Sequence, residues 1–176
     1  MLRIFQAETP EQIEQVRKLF LEYAQSLGFS LCFQSFDKEL ASLPGDYAPP
    51  SGRLYLASWN GAPAGCVALH SFGNEASGSC EMKRLYVRPE FRGHNLGRAL
   101  IHAVIAAARE IGYLRMLLDT VQGVHDKAIE RYREYGFREI APYRENPQPD
   151  VLYMQLDLHP ESNRTPQFHE QQPSKT

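Results

Sequence analysis

The chemistry-bearing stretch of this chain runs from Leu85 to Leu100: Leu85-Tyr86-Val87-Arg88-Pro89-Glu90-Phe91-Arg92-Gly93-His94-Asn95-Leu96-Gly97-Arg98-Ala99-Leu100. An apolar run enters a loop, and a helical pattern begins directly behind it. The first amides of a helix have no internal partner, and the helix dipole places partial positive charge there. Such a junction is an anion site, and phosphate is its usual occupant. Gly93 lets the backbone approach a ligand closely, and Asn95 tolerates a left-handed conformation better than most residues. Between Met82 and Arg109 there are six basic residues (Lys83, Arg84, Arg88, Arg92, Arg98 and Arg109) and one acid, Glu90. That is +5 inside a protein of formal net charge −2. An ordinary strand–loop–helix junction with solvated charges is the competing reading. Other phosphate loops fit less well: a Walker loop needs Gly-Lys-Ser/Thr where Gly97-Arg98-Ala99 stands, and Gly93 and Gly97 lack the dinucleotide spacing.

The elements that must hold this loop can be read on either side of it. Leu2 to Ala7 suits an opening strand. Thr9-Pro10-Glu11-Gln12 is a helix start with a capping threonine, proline at the first helical position and Gln12 closing a capping box. Ile13, Val16, Leu19, Phe20 and Tyr23 follow at helical spacing, with Gly28 as a stop. A weaker helix covers Phe36 to Leu43, and Pro44 to Gly52 is a loop by composition. Arg53 to Trp59 and Ala64 to Phe72 are strands joined by Asn60-Gly61, a hairpin signal. Cys80 to Val87 is a third run, with Met82 and Arg84 on one face and Glu81, Lys83, Leu85 and Val87 on the other, unless a bulge resets the register.

Leu96 to Ile111 is a helix apolar almost all round, which predicts burial against a sheet, and Gly112 ends it. Leu114 to Asp119 is a buried-type strand. Asp126 to Tyr135 is a helix stopped by Gly136 in a left-handed cap. Phe137 to Ala141 and Val151 to Leu158 are closing strands. The expected fold is a single α/β domain over residues 1–158, followed by a polar tail, 159–176, expected to be mobile. Its sheet is mixed.

At 176 residues the chain has room for one ordinary domain. Its near-balanced charge argues against a sequence-independent nucleic-acid binder, which needs a large positive surplus. The longest apolar run, Ala103 to Ala108, is far below the roughly 20 residues that span a bilayer, and the start shows no apolar leader. A cytoplasmic location is therefore the expectation. Cys32, Cys66 and Cys80 are odd in number and irregular in spacing, and are read as reduced, packed thiols. The histidines, including His94 and His102 eight apart, lack a convergent carboxylate, so no metal is expected.

Arg92 to Leu100 resembles the acyl-CoA pyrophosphate loop of the GNAT superfamily of N-acetyltransferases, Gln/Arg-x-x-Gly-x-Gly/Ala, behind a strand that often reads Glu-x-Lys-Arg-Leu-Tyr-Val. Ala128 to Phe137 is similar to the family's Ala-x-x-x-Tyr-x-x-x-Gly-Phe. The resemblance covers about residues 2 to 158 and implies about seven mostly antiparallel strands flanked by about four helices. Asn95 stands where the family usually has its first glycine, and His125 where many members carry an asparagine.

The resemblance implies acetyl-CoA as cosubstrate and direct attack on its thioester by an amine of a small molecule or peptide. Its cofactor-side residues would be Leu85, Tyr86, Val87, Arg92, Gly93, His94, Asn95, Leu96, Gly97, Arg98 and His125. Backbone groups of Leu85 and Val87 would pair with the pantetheine arm as an added strand, and a bulge there would aim an amide at the thioester oxygen. The amine must lose a proton before it attacks. Glu81 is the first candidate base, with its carboxyl expected to be pushed up by apolar neighbours; a pairing with Lys83 or an arginine is the alternative. Asp119 is the second candidate. Tyr132 is the candidate acid, or else a core tyrosine. The acceptor would meet the N-terminal helices, Tyr47, and Tyr143 and Arg144 before the last strand. A homodimer is one assembly this reading allows. The rival readings are a non-catalytic acyl-CoA-binding module on the same fold and a structural α/β domain with no nucleotide ligand.

Overall fold

The computed structural model describes residues 1–31, 35–74 and 77–159. Cys32 and the tail from residue 160 lie outside them. Eleven elements follow in order: β1 (Leu2–Gln6), α1 (Pro10–Ser26), α2 (Phe36–Ser42), β2 (Arg53–Trp59), β3 (Ala62–Phe72), β4 (Ser79–Val87), α3 (Leu96–Ile111), β5 (Arg115–Val121), α4 (Asp126–Glu134), β6 (Arg138–Ile140) and β7 (Val151–Asp157). The strands form one sheet in the order β1-β2-β3-β4-β5-β7-β6. All neighbours are antiparallel except β4 and β5. The expected mixed, mostly antiparallel α/β fold is the one observed.

Local chemistry accounts for the element ends. Thr9 Oγ1 accepts a hydrogen bond from the Gln12 amide, and Gln12 Oε1 accepts one from the Thr9 amide, so α1 starts on a complete capping box. Asn60 and Gly61 both have positive φ, which gives the β2–β3 turn the twist that a tight hairpin needs. Gly112 closes α3 in the left-handed region.

Two apolar cores lie on opposite faces of the sheet. On one, Leu100, Ile101, Val104 and Ile105 of α3 pack on Val67, Leu69, Cys80, Met82, Met116 and Met154. On the other, Val16, Leu19 and Phe20 of α1 pack with Phe36 of α2 on Leu54, Leu56, Cys66 and Ala68. Helix α3 is buried against the sheet along one side, as its composition predicts. Ala106 is exposed beside Arg98, His102, Arg109 and Glu110, because a helix lying on one sheet face can bury only one side. Cys66 and Cys80 are free, buried thiols.

A bulge divides β4. Cys66 pairs with Tyr86, and two residues on Ala68 pairs with Lys83, so Arg84 and Leu85 together face Val67. Arg84 carries the extra residue's strain at φ 57°. The expected alternation therefore breaks there. Cys80 and Met82 enter the α3-side core before the bulge, while Leu85 and Val87 pack on that same core after it. Tyr86 is turned to the α1 side.

Candidate active site

The sheet comes apart at one place. Strands β4 and β5 pair only through Ser79–Arg115, Cys80–Met116 and Glu81–Leu117. β5 meanwhile stays paired to β7 as far as Val121. Beyond Glu81 the two strands diverge around a cleft. Met82 to Leu85 line it from β4, Leu118 to Val121 from β5, Ala128 and Tyr132 from α4, and Tyr23 from α1. On its β5 side, β4 after Glu81 thus has no neighbouring strand among the described residues.

The start of α3 lies past the end of β4. Its N-cap, Asn95, sits in the left-handed region at φ 62° and makes no side-chain cap hydrogen bond. The first helical amide to turn inward is that of Ala99, donating to the Asn95 carbonyl at 3.0 Å, so the amides of Leu96, Gly97 and Arg98 have no partner within the helix. Gly93 adopts φ 90°. A Cβ at Gly97 would lie 2.9 Å from Nη1 of Arg131, which places that guanidinium against the helix start. Arg131 was missed from the sequence, although it directly precedes Tyr132 in the Ala128–Phe137 block. The side chain of His94 turns away and stacks on Trp59, with ring centroids 4.6 Å apart.

The basic segment does not act as one phosphate field. Arg84 makes a two-pronged pair with Glu39, at 3.0 and 2.7 Å. Arg88 does the same with Glu22, at 2.9 and 2.7 Å. Arg98 reaches Glu134 at 2.6 Å, Arg92 Nε donates to the Val87 carbonyl at 3.1 Å, and Arg109 Nε donates to the Leu158 carbonyl. Arg84, Arg88 and Arg98 thus meet carboxylates, while Arg92 and Arg109 meet uncharged carbonyls, so the +5 counted along the chain is partly neutralised in space.

Glu81 is fully buried. His70 Nε2 meets its Oε1 at 2.9 Å, Tyr143 donates to Oε2 at 2.7 Å, Arg144 pairs with Oε2, and Lys83 Nζ lies 3.9 Å from Oε1. Burial pushes its carboxyl up, but the His70 hydrogen bond and the charges of Lys83 and Arg144 outweigh it and hold the group at about 2. The expected upward shift is therefore corrected: polar partners from β3 and the β6–β7 loop, not apolar neighbours, surround Glu81. His70 was missed from the sequence, where its only signal is a ring inside an otherwise apolar strand.

Asp119 lines the cleft from β5 and accepts a hydrogen bond from Asn146 Nδ2 at 3.0 Å. Nothing in the sequence marks Asn146. Tyr132 is buried at the cleft wall, and burial raises its phenol above the ordinary tyrosine range. His125 caps α4 beside it. Its Nδ1 lies 3.2 Å from Thr120 Oγ1, its ring stacks on Tyr23, and burial lowers its pKa. Asp119, Tyr132 and His125 therefore line one cleft with Leu85, and none of Gly93 to Arg98 lines it; Asn95 and Arg98 line a separate pocket with Leu2, Ile4 and Tyr135. Tyr47, expected on the acceptor side, lines a second pocket with His70 and Lys83. Among the described residues no group of three or more His, Cys, Asp or Glu could hold a metal ion, and no helix is long and apolar enough to cross a membrane.

Residues 13–137 match the Acetyltransferase (GNAT) family. An uncharacterized N-acetyltransferase of Schizosaccharomyces pombe is 40% identical over 158 residues, covering 89% of this chain and 95% of that protein. A GNAT-family acetyltransferase structure from Staphylococcus aureus Mu50 superposes with a TM-score of 0.73 at 19% identity, over 90% of this chain and 99% of the other. The PaiA N-acetyltransferase of Thermoplasma acidophilum, solved in complex with coenzyme A, superposes with a TM-score of 0.65 at 15% identity, over 89% and 99% of the two chains.

Proposed function

The chain belongs to the GNAT acetyltransferase family, and from that premise we propose that it transfers an acetyl group from acetyl-CoA to an amine of a small molecule or peptide. One observation carries this reading: β4 and β5 part after Glu81 into a cleft lined by Asp119 and Tyr132, and the strand beside it leads to a helix start without a side-chain cap.

The residues present fit the group. The amides from Gly93 to Arg98, with Arg131 against Gly97, offer donors and positive charge for a pyrophosphate. The unpaired edge of β4 at Leu85, Tyr86 and Val87 offers backbone groups to an extended arm, as a missing strand would use them. The bulge at Arg84 reorients the backbone beside the reacting end. Acetyl-CoA supplies the activated acyl group.

Asp119, on the opposite wall, takes the proton from the incoming ammonium so that the amine lone pair is free to attack. Tyr132 stays protonated because burial raises its pKa, so it serves the departing sulfur as a hydrogen-bond donor. His125, kept neutral by burial, orients the mouth of α4 against Thr120 and Tyr23. Glu81, whose oxygens are already taken, holds His70, Lys83, Tyr143 and Arg144 in place on the acceptor side.

Two measurements test this. Acetyl-CoA at 100-fold over its Kd should add about 2.7 kcal/mol of stability by linkage, and a panel of amino acids, polyamines, aminoglycosides and peptides should include an acceptor that releases free CoA thiol. Stabilisation without thiol release from any amine would leave a non-catalytic acyl-CoA-binding module; no stabilisation would remove both readings.

A further inference from the structure

Four consecutive residues between β4 and α3 are exposed: Arg92, Gly93, His94 and Asn95. Little within this loop fixes its shape. Gly93 and Asn95 hold positive φ, at 90° and 62°, and Asn95 caps the helix without a side-chain hydrogen bond. A Cβ at Gly93 would meet no atom within 4 Å among the described residues. Arg92 Nε reaches back only as far as the Val87 carbonyl. A non-glycine residue in the left-handed region costs free energy, so contacts from elsewhere must hold it there.

Those contacts come from the β2–β3 hairpin. The Arg88 amide donates to the Ala64 carbonyl at 2.9 Å, and Arg88 Nη1 donates to the Pro63 carbonyl at 2.7 Å. Both tie down the residue that leads into the loop. Nearer the helix, His94 lays its ring on Trp59, the last residue of β2, with centroids 4.6 Å apart and planes 25° apart. Trp59 is partly buried and packs on the α3-side core. It is paired with Leu2 on one side and Ala62 on the other. Its indole is therefore a fixed platform. His94 sits between the two left-handed residues, so seating its ring sets the backbone on both sides and the direction of the amides that open α3. A loop already seated spares the ligand the cost of ordering it.

Resting on the acyl-transfer reading, we propose that Trp59 is a positioning residue for acetyl-CoA binding. It seats His94, and through His94 it preorganises the loop offered to the pyrophosphate.

The test is calorimetric binding of CoA to the full chain and to paired variants. His94→Ala should weaken binding about fivefold, equivalent to ~1 kcal/mol. His94→Phe keeps a ring on the indole and should recover most of that loss. Trp59→Leu keeps apolar bulk on the core without an aromatic face and should match His94→Ala, with Trp59→Phe recovering most of the loss. The double variant His94→Ala/Trp59→Leu should bind no more weakly than either single one, because both remove the same stack. Trp59 is the single tryptophan of the chain, so His94→Ala should also move the intrinsic emission to longer wavelength as water reaches the indole. A packing role alone would lower the melting temperature of Trp59→Leu and leave its affinity for CoA unchanged.

Unchanged affinity in His94→Ala or in folded Trp59→Leu, an equal loss in His94→Phe, additive losses in the double variant, or an unmoved emission would overturn the proposal. Should Trp59→Leu fail to fold, the two His94 variants decide the matter. A parent chain that binds no CoA removes the acyl-transfer reading together with this one. A parent chain that binds CoA and loses nothing in His94→Ala removes the role of Trp59 alone.

Discussion

Glu81 and Asp119 stand on the two strands that part to form the cleft, and the protein keeps them in opposite ways. Glu81 is fully buried, sits at the last residue pair before the split, and is surrounded by His70, Tyr143, Arg144 and Lys83. Asp119 is half-buried, lies beyond the split, and accepts a hydrogen bond from Asn146. A carboxylate with every oxygen engaged is an organising charge. One left beside a cleft can exchange a proton. The difference follows from position along the divergence: where the strands still pair, side chains from β3 and the β6–β7 loop close over Glu81, and where they part, that space becomes the cleft.

Four experiments can break or sharpen this contrast. Asp119→Asn should lower kcat by about 10²- to 10⁴-fold, the usual contribution of a positioned general base; steady-state thiol release checks it, and an unchanged kcat would move the base elsewhere. Glu81→Ala should act first on stability. It strands Lys83 and Arg144 without their shared anion, a change expected to cost about 3–5 kcal/mol in a denaturant titration.

The acid limb of stability should belong to Glu81. Its carboxyl is held at about 2 in the folded chain against an ordinary 4.5, which amounts to a contribution on the order of 3 kcal/mol. Because the folded value is the lower one, that contribution is complete above about 4.5 and is lost as pH falls through about 2. Melting temperatures from pH 6 down to pH 2 should fall steeply in the parent chain and less steeply in Glu81→Gln. The smallest effect is expected from Asn146→Ala, which removes the Asp119 hydrogen bond: about 1 kcal/mol in stability, with a several-fold change in kcat and little change in acetyl-CoA binding.

Much of this architecture is legible in local patterns. Thr9 and Gln12 define a helix start by their spacing, Asn60-Gly61 defines a hairpin, Gly112 ends α3, and Gly136 has the positive φ expected of a left-handed cap. The left-handed geometry at Gly93 and Asn95 before α3 is legible for the same reason, since a helix start is made by consecutive residues. The second wall of the cleft is less so. Asn146 and Asp119 are 27 residues apart, and nothing near either predicts their meeting. The bulge at Arg84 was left open by the alternation of β4, because an arginine at positive φ is tolerated only when the two strands and the Glu39 pair impose it.

The basic run from Lys83 to Arg109 marks the boundary between the two kinds of knowledge. By itself the sequence determined that a strand, a loop and a helix start occur there in the order that makes an anion site, because backbone geometry and helix capping depend on near neighbours. Only the tertiary structure decided where the charges go. Arg88 meets Glu22 across 66 residues, Arg84 meets Glu39 across 45, and Arg144 reaches Glu81 across 63. Electrostatic neutralisation depends on distance in space, so a +5 segment in the sequence becomes ion pairs at Arg84, Arg88 and Arg98, two arginines that donate to backbone carbonyls, and a helix start without a side-chain cap.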